Sequence, residues 1–256
     1  MKLINCFMLA LMFPLAGCVS RPDYTLNPPA STEWVNIFLK LPAQVEIMPM
    51  DVLYRSAKCQ REDYDSTTES HVRKERGYNP QIIRMKQLNV TNLWQRDIAL
   101  DGGGKCEWKL STVRIDMKLN RNIPQTKGKD PTSVSYVFAF DDEFYSGGGM
   151  PGQRKEVQGN LEIKTDFFPM VFINHAFNET DIDMFGGNVR KLQWSRHYRV
   201  HETQEIVITP VLHINKVVTL ESPLTPPSKV TVTYPDGSQE SVSGIIPDYK
   251  KLLSMM

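Results

Sequence analysis

Apolar and polar positions alternate with period two along most of the chain after residue 34. Val35-Asn36-Ile37-Phe38-Leu39 opens the pattern, and residues 45–54 continue it with Ile47, Met50 and Leu53 among polar neighbours. Pro49 makes that second segment bent or an edge strand, because proline cannot donate to a ladder. Residues 106–119 alternate most cleanly. Val113, Ile115, Met117 and Leu119 share one face, and Thr112, Arg114, Asp116 and Lys118 share the other. Further strands are predicted over 82–88, 93–100, 134–140, 157–163, 170–173, 189–200, 205–212 and 217–220. Val230 to Tyr234, then Pro235-Asp236-Gly237, then Ser241-Val242 predicts a hairpin. Residues 247–256 predict one short helix with Pro247 in its first turn. Between these elements, residues 60–80 are almost devoid of apolar side chains and predict a long charged loop. Residues 141–153 predict a mobile loop displaying Phe144, Tyr145 and Met150, and residues 175–188 an irregular stretch. The expected class is all-β: mainly antiparallel, sandwich-like sheets with long loops and a short C-terminal helix. A polar connector at 120–132 divides the pattern into 34–122 and 133–256, two β domains or subdomains.

The first eighteen residues follow a different rule. Lys2 supplies a positive charge, residues 3–16 are apolar apart from Asn5, and the run ends in Leu15-Ala16-Gly17-Cys18. A bilayer-spanning helix needs about 20 apolar residues. The run suits the core of a secretory signal instead, and its end resembles the bacterial lipobox. Residues 1–17 are therefore expected to be a signal peptide, and Cys18 the acylated first residue of the mature chain. Acyl chains of the palmitate type bury CH2 groups at about 0.8 kcal/mol each. Val19, rather than an acidic residue, follows Cys18 and points to the outer membrane, with the protein facing the periplasm. Residues 18–33, rich in Pro, Ser and Thr, read as a lipidated tether.

Composition narrows the partners. The chain has 30 Lys and Arg against 29 Asp and Glu, and loss of Lys2 with the signal evens the balance. That neutrality argues against nucleic acid. Of the 4 cysteines, Cys6 leaves with the signal and Cys18 takes the lipid. Cys59 and Cys106 remain, an even pair in an oxidising compartment, and are expected to form a disulfide.

Catalytic motifs do not emerge. The sequence holds no G-x-S-x-G elbow, no H-E-x-x-H and no phosphate loop. His197 and His201 lie in a strand-like segment, where positions four apart sit about 13 Å from each other, too far for one metal ion. Asp141-Asp142-Glu143 lacks the ladder of a calcium loop. No metal, cofactor or catalytic residue is therefore assigned, apart from the covalent lipid on Cys18. What remains is a scaffold with polar loops carrying aromatics, a design suited to protein recognition.

Leu15-Ala16-Gly17-Cys18, the segment Met48-Pro49-Met50-Asp51-Val52-Leu53-Tyr54-Arg55-Ser56-Ala57-Lys58-Cys59 and the charged residues after it resemble the lipoprotein immunity proteins paired with type VI secretion phospholipase effectors. The likeness covers roughly the first third of the chain. It implies a non-enzymatic protein that binds a cognate phospholipase and blocks it by occlusion. The expected contacts are Arg55, Arg61, Tyr64, Arg73 and Tyr78, with Phe144, Tyr145 and Arg154 in the second half. The residues themselves leave three other classes open. These are a structural or assembly lipoprotein of the envelope, a glycan- or lipid-binding module, and an enzyme built from His175, Asp181 and Asp183.

Overall fold

The alternation over 106–119 becomes the central strand of one sheet. The computed structural model describes residues 22–64, 72–88, 92–142, 154–187, 192–224 and 229–256, without the side chains at 63, 64, 72, 73 and 192. The expected signal peptide (residues 1–17), Cys18, Phe144 and Tyr145 lie outside the described residues. In chain order the strands are β1 (Trp34–Lys40), β2 (Val45–Ile47), β3 (Met50–Tyr64), β4 (Val72–Ile83), β5 (Lys86–Gln87) and β6 (Leu93–Ala99). They continue as β7 (Asp101–Gly103), β8 (Trp108–Leu119), β9 (Asp130–Pro131), β10 (Val134–Ala139), β11 (Lys155–Gln158) and β12 (Leu161–Asn174). The last six are β13 (Glu179–Phe185), β14 (His197–His201), β15 (Glu205–Leu212), β16 (Val218–Glu221), β17 (Val230–Thr233) and β18 (Gln239–Val242), followed by helix α1 (Tyr249–Leu253).

Two mixed sheets form. One runs β11-β14-β10-β8-β3-β4, with β2 and β7 also on β8. The other contains β18, β17, β16, β12, β15, β1, β6 and β5, with β13 and β9 attached through β12. The class is therefore all-β and sandwich-like with a short C-terminal helix, as the alternation predicts. Parallel pairing is more extensive than that pattern announces. β1 runs parallel to β15, with Asn36 opposite Glu205, and β10 runs parallel to β14. The long strand β12 carries β15 beside residues 161–167 and then β16 beside 170–173, both parallel. Each sheet draws strands from both sides of the 120–132 connector: β1 pairs with β15, and β8 with β10.

The two inner faces meet in one apolar cluster. Val35, Ile37 and Leu39 of β1, Ile115 and Met117 of β8, Tyr136 and Phe138 of β10, Phe167 of β12 and Ile206 and Ile208 of β15 all belong to it. Tyr136 meets Phe167 edge-on at 6.4 Å across the sheets, and Phe138 stacks on Tyr198 at 5.5 Å. At about 25 cal/mol per Å2 of apolar surface, this burial is the main favourable contribution to folding. A second cluster seats the C-terminus: Tyr249 and Leu252 of α1 pack with Phe168, Val218, Leu220, Val232 and Tyr234. Asp248 caps α1 by accepting from the Lys250 and Lys251 amides, and Pro247 lies just before the cap.

Three segments differ from the expectation. Residues 60–64 and 72–80 are strand: β3 and β4 pair from Met50–Ile83 out to Tyr64–Val72. Within 175–188, β13 pairs with β12 from Asn174–Glu179 to Phe168–Phe185. The stretch 189–200, read as one strand, holds a short 3-10 turn at Leu192–Trp194 before β14. The segment expected as a tether is also part of the folded body from residue 22 onward. Trp108 Nε1 donates to the Asp23 carbonyl at 2.9 Å, and the Tyr24 and Trp108 rings stack at 6.0 Å. The Asn27 amide donates to the Gly102 carbonyl at 2.8 Å. Gly103 has φ +59°, and a β-carbon there would overlap the Asn27 carbonyl, so this strap fits only over glycine.

Candidate functional site

Of the predicted contact residues, Arg55, Arg61 and Tyr78 come together on β3 and β4. Between Ser56 and Arg61 the register of β3 shifts, so that residues 57–60 bulge opposite Arg76. Ser56 shapes the bulge. Its Oγ accepts from the Lys58 and Cys59 amides at 3.1 and 2.8 Å and donates to the Cys106 carbonyl. Cys59 is thereby brought 5.3 Å (Cα–Cα) from Cys106, and the two form the expected disulfide across 47 residues. Gly77 is the seat of the bulge. A β-carbon there would overlap the Cys59 carbonyl oxygen, and Trp108 lies beside it.

Beyond the bulge, Arg61 faces Tyr78. The Arg61 Cζ lies 3.9 Å from the Tyr78 ring centre and the Arg55 Cζ 4.4 Å from it, both within cation–π range. Arg61 Nη2 also pairs with Glu75 Oε2 at 2.7 Å. Tyr78 and Arg61, with Pro22, Tyr24, Gln60 and Gln81, line a cleft of about 510 Å3.

The structure gives Arg55 a different role from the expected surface contact. It is 2% exposed, and its Nε donates to Ser111 Oγ at 3.1 Å and lies 4.0 Å from Asp141 Oδ2. A long polar side chain at a strand position can face either sheet surface, and here Arg55 faces inward. Arg76 Nη2 donates to the same Asp141 oxygen at 2.5 Å, and Arg199 Nη2 to Asp142 at 3.0 Å. These pairs tie Asp141 and Asp142, just after β10, to β4 and β14. Arg154, half-buried, returns next to them. Burial and then Arg199 lower its pKa, while Asp141, Glu156 and Asp142 oppose the shift. The backbones of Tyr64 and Arg73 sit at the outer end of the hairpin, opposite Val72 and Asp63. Gly77, Ser56 and the strap were not among the predicted site residues; the signal was a lone glycine within an otherwise polar run.

The groups of the alternative enzyme reading do not assemble. His175 lies at the β12–β13 turn, 3.7 Å from Glu221. Asp181 and Asp183 pair with Phe172 and Met170 further down the ladder. Burial pushes the Asp183 carboxyl up to about 7, with Arg196 pulling it back and Asp181 adding to the rise. His197 is pushed down to about 4 by burial, and Arg196, Arg154 and Arg114 add to that. His201, exposed, contacts Glu156 at 2.7 Å. Among the described residues no group of three or more His, Cys, Asp or Glu sits at metal-binding spacing, and no helix is long and apolar enough to cross a membrane.

No protein-family model matches the chain, and no curated protein or solved structure shows significant similarity to it.

Proposed function

We propose that this chain is a lipid-anchored protein of the cell envelope that recognises another protein. Its particular role is that of an immunity protein, which binds a type VI secretion phospholipase effector and occludes it in the periplasm. The observation that carries the reading is the segment after Met48. The residues that resemble the immunity lipoproteins build a disulfide-pinned hairpin, which holds Arg61 and Tyr78 against each other at a cleft. A rigid aromatic with a neighbouring arginine loses little entropy on binding, and such pairs are favoured at interface hot spots. The lipid on Cys18 concentrates the inhibitor in the thin layer where a phospholipase must act. Arg61, Tyr78 and Arg154 are the proposed contacts, with Tyr64, Arg73, Phe144 and Tyr145 around them; Arg55 supports Tyr78 from within.

The test is a pulldown of the mature protein with the product of the neighbouring gene, followed by a phospholipase assay. Binding without protection, or no binding, ends this reading. A second role, assembly of envelope proteins, is favoured by one feature. Phe177 and Leu224, 72% and 82% exposed, sit at the far end of the second sheet, where Ser222 bonds back to Ile173 and His175. That role requires an envelope defect on deletion with no toxin present.

A further inference from the structure

The strap described above fixes which end of the molecule faces the bilayer. Asp23, Tyr24 and Asn27 are bonded to Trp108, Asn79 and Gly102, and Pro22 already lines the cleft. Only Val19, Ser20 and Arg21 separate Pro22 from Cys18. Four residue steps reach at most about 14 Å. The polar layer of one leaflet is roughly 5–7 Å deep. An acylated Cys18 therefore cannot let the cleft stand more than several ångströms clear of the head groups. We propose that the cleft end of the sandwich is a bilayer-contact surface, seated on phospholipid head groups until a protein partner displaces them from Arg61 and Tyr78, with the β12–β13 turn pointing away from the membrane. The proposal rests on the reading of Cys18 as the lipidated residue.

The chemistry of this end suits the location. Tyr24 is 49% exposed, and tyrosine favours the depth where an apolar ring meets water. Lys58 and Lys105, next to Cys59 and Cys106, and Lys74 of β4 are exposed at this end, with Lys58 paired to Glu107 at 2.7 Å. Glu62 and Glu107 are exposed beside them, so the surface is mixed in sign, and the anchor rather than net charge holds it down. The turn His175–Asn178 lies about thirteen residues of strand beyond the start of β12, roughly 40 Å at strand rise. Start of β12 and cleft lie at the same end. Leu161 and Asn36 flank the beginning of β15, and the Leu100 amide, one residue before β7, bonds to the Glu33 carbonyl.

The experiment compares amide hydrogen exchange of the acylated protein on phosphatidylethanolamine–phosphatidylglycerol vesicles with that of Cys18→Ala in solution. Exchange slowed several-fold over 23–27, 58–62 and 74–81, and unchanged over 174–179, is the expected result. A second protein carries ten Gly and Ser residues inserted between Ser20 and Arg21, which gives the link a mean span of roughly 20 Å. It should remain on vesicles and lose the protection. Acylated protein without protection at the cleft end, with protection at the far turn, or with protection that survives the insertion overturns the orientation while leaving the anchor intact. An N-terminal peptide without acyl mass removes the premise and the proposal together.

Discussion

Replacing both Cys59 and Cys106 by alanine tests what the disulfide contributes. The bond closes a loop across 47 residues. Loop-closure entropy for that length corresponds to roughly 4 kcal/mol at 25 °C. A net stability of about 5–15 kcal/mol is usual for a domain, so the loss is a large share of the total. The folded state has other means of holding the bulge: the Ser56 hydroxyl bonds and the Gly77 seat remain. The effect should thus fall mainly on the unfolded chain. Alanine also leaves a small void at Cys106, which is 1% exposed, and this adds up to about 1 kcal/mol. With a urea m-value of about 2–3 kcal/mol per M, the midpoint should drop by roughly 1.5–2 M with m little changed. Equilibrium urea unfolding followed by far-UV circular dichroism reads this directly, and reduced wild type should match the variant. A loss below about 1 kcal/mol in both would refute the loop-closure account.

Other outcomes follow from the same structure. Phe138→Ala removes a fully buried ring stacked on Tyr198 and should cost about 3–5 kcal/mol by denaturant unfolding. Asp183 and His197 make opposed contributions to stability with pH. The Asp183 carboxyl is raised to about 7, so its stabilising effect is full below the unfolded value near 4 and is lost as pH rises through 7. The imidazole of His197 is lowered to about 4, so its contribution is present above about 6.5 and is lost as pH falls through 4. Stability of Asp183→Asn should then rise from pH 4 to 6.5, and that of His197→Gln should fall from pH 4 to 7. Each slope approaches about 1.4 kcal/mol per pH unit; slopes of the opposite sign in thermal melts would show the environments are misassigned. In the immunity reading, Arg61→Ala and Tyr78→Ala should each weaken partner binding by roughly 2 kcal/mol, seen by calorimetry, while a Phe177→Ala control leaves it unchanged. Cys18→Ala should move the protein from the membrane to the soluble fraction with an unchanged melting temperature; continued membrane fractionation contradicts lipidation at Cys18.

Strands with one buried face were legible from the sequence, because burial imposes period two. The clean alternation at 106–119 and the turn Pro235-Asp236-Gly237 between β17 and β18 are the best cases. The outer part of the β3–β4 hairpin was not legible, since it projects past the sandwich and has no apolar face to display. Its ladder is held by backbone bonds and cross-strand charge pairs such as Arg61–Glu75. β13 carried a readable signal, with Ile182 buried between Asp181 and Asp183 and Met184 buried after Asp183, but only seven residues of it. The pairing of β1 with β15 left no local trace, because its partners lie more than 160 residues apart. At the candidate site, Arg61 and Tyr78 were named by residue type alone, and the structure brings them into contact. Arg55 was placed on the wrong side, since nothing in a period-two pattern distinguishes an arginine that points inward to Ser111 from one that points to water.

The parallel register of β1 and β15 also sets an order of events for a chain that emerges N-terminus first during synthesis. The β3–β4 hairpin, β8 and the Cys59–Cys106 bond need only residues up to 119. β1 can find β6 by then, but its other edge stays open until residues 205–212 have emerged. Contacts of such separation are slow to form, and an unpaired edge strand is a template for aggregation. The interval before β15 arrives is therefore the vulnerable step in this protein's biogenesis, and the early disulfide is the only covalent restraint on the described half-made chain while it waits.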